Sequence, residues 1–255
     1  MIVVSPLKVA AILTAAGSGS RLGHPLPKAL VPLEGQSLVV HAARNLLAAG
    51  TAGDRHVRLL VVTAPVEHVD AITEALADAA AGLGGERLVV VPGGATRQAS
   101  VAAGLAALVA HPDGSDVDVV LVHDAARPFA PPSLITRVIE AVRGGHPAVV
   151  PGLPVTDTIK RVATGGPAEL VLGTVPRADL RAVQTPQGFT LDLLLRAHAA
   201  GSDGAHDEAS AASDDAGLVE LLGEPVWVVA GDERAAKITT SRDLAVAGLL
   251  LQEDR

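Results

Sequence analysis

Cysteine and tyrosine are both absent from the 255-residue chain, which has one tryptophan and two phenylalanines. Without cysteine there are no disulfides, thiolate zinc sites, iron–sulfur clusters or cysteine nucleophile. So few rings make a base-stacking platform for single-stranded nucleic acid unexpected. Excess positive charge is missing too: the formal charge is −8 and the isoelectric point about 5.5. Neither nucleic acid nor an anionic membrane suits such a surface. Long hydrophobic runs are also lacking. Leu244–Leu251 falls well short of the ~20 residues a membrane span requires. The apolar N-terminus is interrupted by Lys8 and runs into a Gly-rich loop where a signal peptide would carry its cleavage site. The expectation is a cytoplasmic protein that binds any anion in a local cationic pocket.

What the chain does contain is short, mostly β-branched apolar runs alternating with Ala/Leu-rich segments of helical period. Val9–Ala15, Leu59–Thr63, Leu88–Val91, Val117–Val122 and Ala148–Val150 are expected as strands covered on both faces. Ser37–Ala49, Val66–Ala81, Ala99–Ala110 and Pro132–Arg143 are expected as helices, the last capped by Ser133 and closed by Gly144-Gly145. Strand–helix alternation predicts one α/β domain over residues 1–255, an open and mostly parallel twisted sheet with helices on both faces. After Val150 the rhythm changes. Thr158–Ala163 and Leu170–Leu172, split by Thr164-Gly165-Gly166-Pro167, predict a β-hairpin arm projecting from the sheet at about 154–178. Gly201–Ser213, small and polar, is expected to be a mobile loop. Val226–Val229 and Ser241–Gln252 complete the pattern as a strand and a helix, with Ser241 or Asp243 near the helix cap.

Chemistry concentrates at strand ends. Ala15-Ala16-Gly17-Ser18-Gly19-Ser20-Arg21 follows the first strand, with Pro27-Lys28 just beyond. Small residues let backbone N–H groups approach an anion, and Arg adds a planar donor fork. The spacing is neither G-x-x-x-x-G-K-[ST] nor G-x-G-x-x-G, because Leu22 stands where a third Gly belongs. A Walker-type NTPase and a dinucleotide-binding dehydrogenase are therefore unsupported. Alone, the loop also fits an ordinary strand-to-helix turn with solvated cations. His123-Asp124-Ala125-Ala126-Arg127-Pro128 follows the 117–122 strand, where ligands of open α/β sheets bind. Asp124 could hold Mg²⁺ together with substrate phosphates, or simply cap the next turn. His123 is expected as a packed residue, and the histidine spacing supports no zinc site. Thr158, Lys160, Arg177, Thr185, Ser213-Asp214-Asp215 and Lys237 suggest a second anion site only when taken together.

In this order and at these separations, the segments resemble the 2-C-methyl-D-erythritol 4-phosphate cytidylyltransferase family over nearly the whole chain. The ordered set is residues 15–21 with Pro27-Lys28, Gly93–Val101, His123–Pro128, Asp157–Lys160, Thr185–Gln187 and Lys237–Thr239. The resemblance implies transfer of CMP from CTP to 2-C-methyl-D-erythritol 4-phosphate with release of pyrophosphate, a divalent cation such as Mg²⁺, and a homodimer. It implies that Ala15, Ala16, Gly17, Arg21 and Lys28 hold the triphosphate, and that Gly94, Ala95, Arg97 and Ser100 surround the cytosine. Asp124 would ligand the metal or meet the ribose and polyol, and Arg127 would sit beside the alcohol. Thr185, Ser213 and Lys237 would bind the substrate phosphate, reached across the dimer by Thr158 and Arg177. Arg21, Lys28, Arg177 and Lys237 would be the catalytic cations. Ser213 stands where the family pattern has Thr, Gly217 replaces a Ser, and Ala95 replaces an acidic residue of some members. A cytidylyltransferase for another polyol phosphate, such as ribitol 5-phosphate, and a catalytically silent nucleotide-binding regulator are the competing readings.

Overall fold

A computed structural model describes residues 8–17, 22–51, 54–55, 57–83, 87–207 and 211–253. The N-terminal half builds β1 (Val9–Thr14), α1 (Leu38–Leu47), β2 (Val57–Ala64), α2 (Val69–Ala80), β3 (Leu88–Pro92), α3 (Arg97–Ala110), β4 (Val119–Asp124) and α4 (Pro132–Arg143). Then come β5 (Ala148–Pro154), the arm strands β6 (Ile159–Ala163) and β7 (Leu170–Val175), β8 (Arg181–Val183) and β9 (Gln187–Thr190). α5 (Leu191–Ala200), α6 (Asp215–Leu221), β10 (Trp227–Ala230) and α7 (Ser241–Glu253) finish the chain.

The strands form an eight-stranded sheet in the order β8-β5-β9-β4-β1-β2-β3, with β10 also paired to β5. β1 is flanked in parallel by β2 and β4, and β2 by β3. Alternation along the strands sends successive residues to opposite faces. Val9, Ala11 and Leu13 of β1 enter a core closed by α1, α2 and α4, while Ala10 and Ile12 enter one closed by α3, α5 and α6. That is why these strands are apolar at nearly every position. Phe189, one of the two phenylalanines, is the largest fully buried side chain of the second core.

The sheet is mostly parallel, as expected, with β9 running antiparallel between β4 and β5 and β8 antiparallel to β5. Gln-Gly-Phe-Thr is too short and too polar at its start to announce a buried strand. Ser133 does not cap α4: Pro132 occupies its first turn, and Pro131 stands at the cap position without a side-chain bond. Proline suits that place because its missing N–H has no helical partner there anyway. α5 and α6 stand where no helix was anticipated. Where it is described, the 201–213 segment is hydrogen-bonded to the start of α3. The Gln98 amide donates to Gly201 O at 2.8 Å and accepts Ala212 N–H at 2.9 Å, and the Thr96 hydroxyl donates to Ala205 O.

The arm is as expected. Among the described residues, β6 and β7 pair only with each other, and they lie exposed beyond β5. At the start of α7, the Asp243 carboxylate accepts the backbone N–H groups of Thr239 and Thr240, and the Thr240 hydroxyl accepts the N–H of Asp243. This reciprocal arrangement is a capping box.

Candidate active site

After β3 the chain crosses to the opposite side of β1, so the strand order reverses between β1 and β4. The crevice beyond the carboxyl ends at such a reversal is where open α/β sheets bind ligands. Here it is a cleft of about 620 Å³. Its floor is Thr14 and Asp124, which face each other across the parallel β1–β4 register. One wall is Ala15–Gly17 with Lys28 and Ala29. The other is Gly94–Arg97 with Ser100 at the start of α3, and Lys237 and Thr239 close the rim.

The two walls touch because Gly93 has no side chain. A Cβ there would stand 2.4 Å from the Cβ of Ala16 and 2.9 Å from Ser100 Oγ. Ser100 Oγ accepts the Gly94 N–H at 3.1 Å and donates back to Thr96 O at 2.9 Å, which shapes the turn. Thr96 caps α3 by accepting the Ala99 N–H at 3.0 Å. With the helix start fixed in this way, Arg97 is aimed at the floor.

Charges converge on Asp124. Its Oδ1 accepts Arg97 Nε at 3.0 Å, and its Oδ2 accepts Lys237 Nζ at 2.8 Å. Burial opposes ionisation of this carboxyl, yet the Arg97 and Lys237 charges win and hold it well below the usual carboxylate range. Lys237 is aimed by its backbone, because Ile238 N–H donates to Ala126 O at 2.8 Å. Behind Asp124, the His123 imidazole is fully buried, and that burial pushes its pKa down to about 4. Its tautomer follows from its neighbours. Nε2 faces the Arg127 carbonyl at 3.1 Å and must carry the proton. Nδ1 therefore accepts from the Thr185 hydroxyl at 2.9 Å, whose oxygen accepts the Asp124 backbone N–H at 3.1 Å.

Of the residues anticipated as functional, the cleft gathers Ala15, Ala16, Gly17, Lys28, Gly94, Ala95, Arg97, Ser100, Asp124 and Lys237. Arg21 lies outside the described residues. Thr185 is buried and serves the His123–Asp124 relay, and its position is behind the floor. Arg127 donates to Ala235 O at 2.7 Å and Val183 O at 3.3 Å, clamping the segment that carries Lys237. Ser213 is exposed just before α6, while Thr158 and Arg177 stand on the exposed arm, where Arg177 donates to Thr156 O.

The family model for IspD, 2-C-methyl-D-erythritol 4-phosphate cytidylyltransferase, matches residues 9–253. The chain belongs to the IspD family. A relative bearing that enzyme name in Rhodococcus jostii is 50% identical over 245 residues, covering 96% of each chain. One in Streptomyces avermitilis is 47% identical over 254 residues, covering 98% of this chain and 94% of its own. Among solved structures, the cytidylyltransferase of Thermus thermophilus is 35% identical with a TM-score of 0.69, covering 96% of this chain and all of its own. A 4-diphosphocytidyl-2C-methyl-D-erythritol synthase from Anaerococcus prevotii has a TM-score of 0.77 at 26% identity, covering 97% of each chain. As an IspD family member the chain is a CTP-dependent nucleotidyltransferase, a 2-C-methyl-D-erythritol 4-phosphate cytidylyltransferase of the non-mevalonate isoprenoid route.

Within this IspD fold, two residues have more prominent roles than their sequence context suggested. Thr14, the last residue of β1, donates its hydroxyl toward His123 O and Asp124 Oδ1 at 3.2 and 3.3 Å. Asp215 anchors Arg97 from outside the cleft. In the sequence, Thr14 was marked only by its place at a strand end, and Asp215 only as part of the Ser213-Asp214-Asp215 cluster.

Proposed function

We propose that the cleft binds CTP with its triphosphate along Ala15–Gly17, Arg21 and Lys28 and its base against Gly94, Ala95, Arg97 and Ser100. A phosphate oxygen of 2-C-methyl-D-erythritol 4-phosphate attacks the α-phosphorus in line. The new O–P bond forms as the α–β bridging P–O bond breaks, and pyrophosphate leaves with the electron pair. The attacking oxygen is already anionic at neutral pH, so no general base is needed. The barrier lies in joining two anions and in charge on the five-coordinate phosphorus, which positioned cations relieve. Lys28 and Arg21 stabilise that charge. Lys237, joined by Arg177 and with Thr158 and Ser213 beside it, orients the substrate phosphate. Arg127 acts by holding the Lys237 segment. The observation that carries this reading is a glycine-walled cleft at the strand reversal, lined by Lys28, with Arg97 and Lys237 paired to Asp124 on its floor.

The donor set fits Mg²⁺, which is held through one or two carboxylates with substrate phosphates and water. Asp124 would supply the carboxylate, exchanging its contact with the half-exposed Lys237, and the ion would offset phosphate charge. The arm supports a homodimer: Leu170, Val171 and Leu172 are 71%, 53% and 57% exposed on a ribbon that pairs with no other described strand. Thr158 and Arg177 would then serve the partner's cleft. Both substrates are multiply charged phosphates that do not cross bilayers unaided, so a cytoplasmic location belongs to the same reading. Among the described residues, no helix is long and apolar enough to cross a membrane.

Pyrophosphate release should require CTP in preference to other nucleoside triphosphates, and methylerythritol phosphate in preference to ribitol 5-phosphate. Lys28→Ala should reduce turnover by about 10²–10³ while leaving the unfolding transition cooperative. Equal use of ribitol 5-phosphate would overturn the substrate assignment, and CTP binding without pyrophosphate release would overturn catalysis.

A further inference from the structure

Asp215 opens α6 and is only 1% exposed, yet it lines no part of the cleft. Burying a carboxylate is expensive, and a packed apolar residue of similar size often serves stability as well or better. This one is fully engaged. Its Oδ2 accepts Arg97 Nη1 at 2.8 Å, and its Oδ1 accepts His198 Nε2 of α5 at 2.9 Å. Arg97 is thus held at two points by two carboxylates. Its Nε is on Asp124 and its Nη1 on Asp215, while the buried Nη2 has no protein partner. A planar guanidinium fixed at two nitrogens cannot rotate away from the floor of the cleft.

Two consequences follow from that arrangement. The first is orientation: Arg97 meets Asp124 with the Nε edge because Asp215 occupies the Nη1 edge. The second is charge sharing. Asp124 already faces Lys237, so an Arg97 bound to Asp124 alone would over-neutralise the single carboxylate on the floor. With Asp215 present, two carboxylates balance two cations. We propose that Asp215, braced by His198, is a positioning residue for cytidylyl transfer that holds Arg97 against Asp124 and acts on substrate only through Arg97. Gln187 supports the same assembly: its amide donates to Asp214 Oδ2 at 2.7 Å and accepts the Ala216 N–H at 3.2 Å, pinning the start of α6.

The proposal rests on the cytidylyl-transfer reading, and the experiment separates the two. Full-length wild type, Asp215→Asn, Asp215→Glu, Arg97→Gln and the Arg97→Gln/Asp215→Asn double variant are compared. kcat and KM are measured for CTP and for methylerythritol phosphate, alongside thermal unfolding. Removing an outer partner that orients a site residue typically costs about 10–100-fold. Asp215→Asn should lose that much in kcat/KM while still unfolding cooperatively, and Asp215→Glu should recover part of it. Residues acting through one another are non-additive, so the double variant should be no worse than Arg97→Gln alone. Asp215→Asn within about twofold of wild type, or a double variant showing the product of both single losses, overturns the proposal. Wild type that fails to release pyrophosphate refutes the cytidylyl-transfer reading instead. If Asp215→Asn does not fold, His198→Leu and His198→Gln decide: the first should lower kcat/KM, and the second, which keeps a donor side chain, should restore part of it. No loss in His198→Leu overturns the proposal.

Discussion

At His123 one proton decides whether the floor of the cleft keeps its shape. The ring is neutral, with Nε2–H on the Arg127 carbonyl and Nδ1 accepting from Thr185, and burial lowers its pKa from 6.5 to about 4. A histidine displaced downward on folding contributes its stability fully above its unfolded value and loses it as pH falls through the folded one. The window is therefore pH 6.5 down to about 4. At about 1.36 kcal/mol per pH unit, the total at stake is about 3 kcal/mol. Asp124 and Asp215 are shifted below the ordinary carboxylate range, against the effect of their burial, by Arg97 and their other partners. Their support is complete above the unfolded value near 4 and fades only in stronger acid. Urea unfolding of the wild type should show stability declining between pH 6.5 and 4, and His123→Asn should flatten that slope. An equally steep slope in the variant would assign the titration elsewhere. The packed role of His123 was legible from its position after an apolar strand. The role of Asp215 was not, since its partner Arg97 lies 118 positions away and no local spacing encodes such a pairing.

Helices and strands built around apolar runs were legible because a core wetted on neither face leaves that signature in every residue. β9 was not, because its burial comes from neighbours on both sides and not from its own four residues. The tethering of the 201–213 segment was not legible for a related reason: where it is described, its bonds run to Thr96 and Gln98 at the start of α3, not within its own small polar residues. Two glycines of the cleft walls separate packing from binding. Gly93→Ala drives a methyl into Ala16 and should destabilise the protein by about 1–3 kcal/mol while raising KM for CTP. At Gly17 an added Cβ meets no atom of the other described residues within 4 Å, its chain neighbours aside. Gly17→Ala should therefore leave the melting temperature nearly unchanged and weaken CTP binding alone. Thermal melts paired with CTP titrations check both, and a strongly destabilised Gly17→Ala would show that the wall is packed differently.

For the whole molecule, the arm sets the expectation. An exposed two-stranded ribbon is marginal by itself in water, and its apolar residues call for cover. If the arm forms the proposed homodimer, Leu170→Asp should convert a dimer to a monomer in sedimentation experiments and should lower turnover with it, because Thr158 and Arg177 would be withdrawn from the partner's cleft. Retained activity in a monomeric variant would place the whole site within one chain. The arm was legible from the break in strand–helix rhythm, whereas its relation to the cleft was not.

That relation lies in the stretch after the arm. β8 ends at Val183, and two residues later Thr185 bonds both His123 and the backbone of Asp124. Val183 O meanwhile receives Arg127, whose other nitrogen steadies the segment bearing Lys237. The arm's root is thus stitched to both sides of the catalytic floor. In the proposed homodimer, tension applied at the arm would have a path of only a few bonds to the floor of the cleft, so assembly would tune the reaction without moving any residue of the cleft walls.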